Sequence, residues 1–204
     1  MRKFFLIALT ALLISGCNNN PPKEKEYEKN PQYTWGYAFF FGDYYKDVGI
    51  ENNVVSMSLF TEDLFIRNDS LKGTGQYLYI EELFLAPTDT LLPVGVYTVS
   101  DSREPMTILP GQIAEEYPMN MGACITYIEK SETALRHIIG GTFTVHSSDE
   151  KQCHITFDLI TNDGKNLYGE CKREIKYGNA LRKDAEQSKR KNKLKFRLDD
   201  LKEL

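Results

Sequence analysis

Between Tyr33 and Tyr177 apolar residues recur at every second position, and this period decides what the chain can fold into. Side chains alternate faces along a β-strand, so alternation of this kind marks strands with one buried face. Trp35, Tyr37, Phe39 and Phe41 fall on one face of a first strand, and Val55, Met57 and Leu59 on one face of a second. Gln76 to Leu85 is longer and apolar on both faces. Further strands are expected at Gly95–Ser100, Ile108–Leu109, Cys124–Ile128, Ile138–Val145, Ile155–Ile160 and Leu167–Tyr177. No strand–helix rhythm interrupts them, which argues against an α/β fold. The expected class is all-β: an antiparallel β-sandwich or β-barrel of about eight or nine strands, spaced by turn signals.

The last three of these strands carry enough information to set a register. Phe143 and Val145 share a face with Ile155, Phe157 and Leu159 if 143 pairs with 157 and 145 with 155, across a loop at Asp149-Glu150-Lys151. Asn162-Asp163-Gly164 suits a three-residue turn with Gly164 left-handed, which pairs 159 with 167 and 155 with 171. Leu167, Cys171, Ile175 and Tyr177 then face inward, and Glu170, Lys172, Glu174 and Lys176 face out.

The N-terminal region reads differently. Arg2 and Lys3 precede an apolar run from Phe4 to Ile14. Eleven helical residues rise about 16 Å, half a hydrocarbon core, which suits an export signal better than a membrane span. Ile14-Ser15-Gly16-Cys17 then resembles a lipobox. The resemblance implies cleavage after residue 16 and acylation of the Cys17 thiol, hence an outer-membrane lipoprotein held by its acyl chains. Residues 17–32 hold three prolines and little to bury, which reads as a disordered tether. In lipoproteins of the Bacteroidetes type, acidic residues near that cysteine direct export to the cell surface. Glu24 and Glu26 lie near it without adjoining it, so both the periplasmic and the surface face stay open.

Several segments resemble a pattern found in Bacteroidetes-type lipoproteins of unknown function. They are Leu92-Pro93-Val94-Gly95-Val96-Tyr97-Thr98, Gly140-Gly141-Thr142-Phe143-Thr144-Val145, Ile155-Thr156-Phe157-Asp158-Leu159, Asp163-Gly164 and Leu167-Tyr168-Gly169. The resemblance, carried by these short pieces between Leu92 and Gly169, covers about half of the mature chain. The resemblance implies an all-β domain over residues 33–177 and no catalytic residues. The segment 178–204 departs from the pattern. It is charged and contains helix formers from Ala180 to Gln187, followed by the alternating Lys193-Leu194-Lys195-Phe196-Arg197-Leu198, so a short helix or a strand is expected.

Charge excludes one class of partner. The chain carries a net charge of −4, and −6 once Arg2 and Lys3 are removed, which disfavours nucleic acid. The basic cluster Lys189-Arg190-Lys191-Asn192-Lys193 is read as a solvated face, with lipid phosphates or an acidic polysaccharide as the alternative.

Candidate chemistry is sparse. His146 and His154 should oppose each other on an outer face, but two imidazoles fall short of the three or four ligands a metal site needs, and no metal or other cofactor is expected. Cys153 and Cys171 are diagonal inward neighbours, roughly 7–8 Å apart and too far for a comfortable disulfide. Tyr44 and Tyr45, beyond Gly42 in a loop, are candidates for ligand contact through ring stacking. Asp69-Ser70-Leu71 and Asp89-Thr90-Leu91 match a short acceptor pattern for O-glycosylation, which marks Ser70 and Thr90. No nucleophile elbow, zincin helix or phosphate loop occurs. The leading expectation is a membrane-anchored, non-catalytic β module that binds a glycan or an envelope protein. A glycan hydrolase and a structural element of an envelope assembly are the alternatives.

Overall fold

The structure, a computed structural model, describes residues 30–68, 70–113, 120–129, 132–148 and 152–180. Its strands are β1 (Gln32–Gly42), β2 (Asn53–Thr61), β3 (Leu64–Arg67), β4 (Ser70–Gly73), β5 (Gly75–Leu85), β6 (Gly95–Val99) and β7 (Thr107–Ile108). They continue as β8 (Gln112–Ile113), β9 (Asn120–Met121), β10 (Ala123–Glu129), β11 (Glu132–Ser148), β12 (Cys153–Thr161), β13 (Asn166–Arg173) and β14 (Ile175–Asn179).

Among the described residues the protein is all-β, and its main sheet of ten strands closes on itself. Pairing runs β1–β2–β5–β10–β11–β12–β13 and returns to β1, so the barrel alternative is the one realised. Strand direction differs from the expected all-antiparallel arrangement. A ring with an odd number of strands cannot alternate throughout, and the parallel junction falls between β1 and β13, with β14 continuing it along β1. At the other end of β5 and β11, β10 gives way to β7 and β6. These two run parallel to each other and complete the wall between Leu83–Phe84 and Thr142–Val145.

The interior is filled with side chains. Tyr33, Met57, Leu59, Leu78, Ile80, Tyr97, Phe143, Ile155, Phe157 and Leu159 are buried in one continuous cluster. Each such side chain stabilises the fold by about 1.5–3 kcal/mol relative to exposure. Phe143 and Phe157 stack at 6.2 Å with nearly parallel rings, and Tyr33 lies 5.5 Å from Phe157.

The register expected for the last strands forms. Phe143 pairs with Phe157, Val145 with Ile155, Leu159 with Leu167 and Ile155 with Cys171. Gly164 sits at φ +77°. One detail is corrected: a bulge after Val145 places Ser147, not His146, opposite His154. The loop at 149–151 lies outside the described residues, as do the signal segment, residues 17–29 of the expected tether and residues 181–204. Gln32, expected at the end of the tether, is instead the first residue of β1, paired with Glu170.

The first strand requires a larger correction. Trp35, Tyr37, Phe39 and Phe41 are on the outside of the barrel, and its core is served by Tyr33, Ala38 and the partly buried Phe40. An irregularity between Tyr33 and Trp35 puts Tyr33 on the same inner face as Ala38 despite their odd spacing. The outward aromatics build a second layer. Trp35 stacks on Phe60 at 4.0 Å, Phe60 on Tyr77 at 5.4 Å, and Tyr37 tilts against Phe60 at 5.6 Å. Trp35 Nε1 also donates to Leu64 O in the β3–β4 hairpin at 2.9 Å, which ties that hairpin to the layer.

Candidate ligand-binding site

Past Gly42 the chain leaves β1 and turns sharply, Tyr44 N donating to Gly42 O at 2.9 Å. A 3-10 turn at Lys46–Val48 follows and ends on Gly49 at φ +85°. This loop holds Tyr44 and Tyr45 edge to face, 5.0 Å apart. The two differ in exposure. Tyr44 is 51% exposed, whereas Tyr45 lies on a small apolar cluster of Val54, Phe84 and Leu109 that Phe41 also covers.

Opposite the loop, β5 carries a bulge. Met57 pairs with Ile80 and Val55 with Leu83, so Glu81 and Glu82 together face Ser56. Since Ile80 and Leu83 both enter the core, the two carboxylates are directed out of the barrel. Glu81 Oε2 accepts from Gly122 N at 2.6 Å. Glu82 is only 7% exposed. Its Oε1 accepts from the Tyr45 hydroxyl, and its Oε2 has no partner among the described residues. An unsatisfied buried acceptor costs about 1–3 kcal/mol, so this oxygen marks the cluster out from its surroundings.

Arg103 completes the cluster. It lies in the connection from β6 to β7 at φ +57°, and its carbonyl accepts from Asn52 Nδ2 at 2.9 Å. Its guanidinium stands 5.2 Å from the Tyr45 ring centroid, within cation–π range. The electrostatics follow from these neighbours. Burial pushes the Glu82 carboxyl above its ordinary value, the Tyr45 hydrogen bond opposes that, Glu81 adds to it and Arg103 reduces it. Burial and the Glu82 carboxylate together push the Tyr45 phenol up.

The other candidates are dispersed. Cys17 and the basic cluster at 189–193 lie outside the described residues. Ser70 is the half-buried first residue of β4, paired with Arg67, and Asp69 lies outside the described residues. Thr90 is exposed at a bend. The His146 and His154 rings meet at 4.5 Å. His146 Nε2 lies 2.7 Å from Thr156 Oγ1, and His154 Nε2 lies 2.9 Å from Glu170 Oε1. No group of three or more metal-ligating side chains assembles among the described residues. Cys124, Cys153 and Cys171 are buried, and Cys153, opposite Arg173, is the diagonal neighbour of Cys171, which lies opposite Ile155.

The sequence singled out Tyr44 and Tyr45 but not Glu82 and Arg103, which the fold brings beside them. The available signal was Glu81-Glu82, a polar break in the apolar run of β5. No family model, curated protein or solved structure matches the chain.

Proposed function

We propose that this chain is an outer-membrane lipoprotein whose β-barrel serves as a non-catalytic binding module for a ligand or an envelope protein. The observation that carries the anchoring is Ile14-Ser15-Gly16-Cys17 directly behind an apolar run too short to span a bilayer. In this reading Cys17 bears the lipid, the residues from there to the start of β1 at Gln32 are the tether, and the barrel presents the edge around Tyr44, Tyr45 and Glu82. The filled interior supports a binding surface on the outside of the barrel. Mass spectrometry of the mature N-terminal peptide tests the anchor: a diacylglyceryl thioether on Cys17 is expected, and an unmodified Cys17 thiol contradicts it.

One observation favours a second reading, a glycan hydrolase. Glu82 has a raised pKa and sits beside a second carboxylate, Glu81, the pairing from which acid–base hydrolysis is built. Glu81 is already engaged by Gly122 N, which leaves the pair short of a free base. Release of reducing ends from oligosaccharides, lost in Glu82→Gln, would establish that activity.

A further inference from the structure

We infer that the Tyr44–Glu82–Arg103 cluster is a subsite for one neutral pyranose unit of a glycan, an inference that rests on the binding-module reading above. The cluster and a pyranose are chemically complementary. A pyranose has an apolar C–H face and a rim of hydroxyls that both donate and accept. An exposed aromatic ring packs the face, a carboxylate accepts from the hydroxyls, and a guanidinium donates to them.

All three partners converge here. Tyr44 offers a half-exposed ring edge to face with Tyr45. Glu82, more than nine-tenths buried, keeps one carboxylate oxygen without a partner while the other is fixed by the Tyr45 hydroxyl. Arg103 is positioned over the same Tyr45 ring. Tyr45 therefore joins the parts of the site: its ring takes the guanidinium, stands perpendicular to the Tyr44 ring and carries the hydroxyl that holds Glu82. Glu82 Oε2 is the acceptor that a ligand hydroxyl satisfies, supplying the hydrogen bond the oxygen lacks. The carboxylates Glu81 and Glu82 beside the single guanidinium set the preference for neutral over acidic sugars.

The test uses the full mature protein in detergent, titrated calorimetrically with maltoheptaose, cellohexaose, mannohexaose and xylohexaose, and with hexagalacturonate as the acidic comparison. The expected result is binding of at least one neutral oligosaccharide. Tyr44→Ala and Glu82→Gln should each weaken it tenfold or more while the melting temperature of Glu82→Gln does not fall. Binding to none of the neutral sugars, tighter binding of hexagalacturonate, or binding indifferent to both substitutions overturns the inference and leaves the binding module intact. Recovery of shortened oligosaccharides overturns the non-catalytic reading instead.

Discussion

Tyr45 donates its phenolic hydrogen to the carboxylate of Glu82, thirty-seven residues further along the chain, and so pins the loop after β1 to the bulge of β5. Tyr45→Phe keeps the ring against Phe84 and removes the donor. Both oxygens of a buried carboxylate are then left without a partner, at a cost of about 1–3 kcal/mol. Urea denaturation is expected to show that loss, with an unchanged dependence on denaturant. A midpoint equal to that of the parent protein would mean that the hydrogen bond contributes nothing.

Glu82 also links stability to pH. Burial raises its folded-state pKa above the ordinary 4.5, so the folded protein holds the proton more tightly than the unfolded chain. Between those two values stability therefore rises as pH falls. Above the folded pKa, folding has to bury an ionised carboxylate, and the contribution is lost. Glu82→Gln removes this term. Its melting temperature is expected to exceed that of the parent at neutral pH, and the gap to close as pH falls towards 4.5. A gap that widens on acidification would reverse the assigned direction.

The outer aromatic layer is expected to bear structural load of its own. Phe60 is 3% exposed between Trp35 and Tyr77, on the face away from the barrel interior. Phe60→Ala should cost about 3–5 kcal/mol, as for a buried core phenylalanine. A loss below about 1 kcal/mol would show that the layer merely decorates the surface.

Two glycines with left-handed backbone separate conformational strain from crowding. At Gly164 (φ +77°) an added Cβ meets nothing within 4 Å, so Gly164→Ala should cost only the left-handed backbone term, about 1–2 kcal/mol. At Gly141 (φ +103°) the same atom falls 2.2 Å from Asp158 O and 2.6 Å from Leu159 Cα. Gly141→Ala must also part β11 from β12, and its denaturation midpoint should fall well below that of Gly164→Ala. Equal midpoints would remove the steric argument.

How much of this was legible in the sequence depended on whether a local rule fixed the outcome. The β11–β12–β13 register was readable because Gly164 sets the turn and period two does the rest, until the bulge after Val145 adds a residue that alternation cannot register. In β1 the period was right and the choice of face was wrong. Alternation divides residues into two faces, but which face is inner depends on the partners. Around Ala38 the interior is already filled by Met57, Leu59 and their neighbours, so the large rings pack outside on Phe60. The parallel closure of β1 on β13 and β14 joins opposite ends of the domain and leaves no local trace. Tyr44 and Tyr45 were found as loop aromatics, whereas Glu82 and Arg103 reach them only through a bulge and a distant connection.

Anchoring of this protein depends above all on acylation of Cys17, and replacing that residue with serine is the decisive test. The parent protein is expected to stay with the membrane pellet through an alkaline carbonate wash, and Cys17→Ser to appear in the soluble fraction. A serine variant that still pellets after the same wash would contradict the lipid anchor and the function built on it.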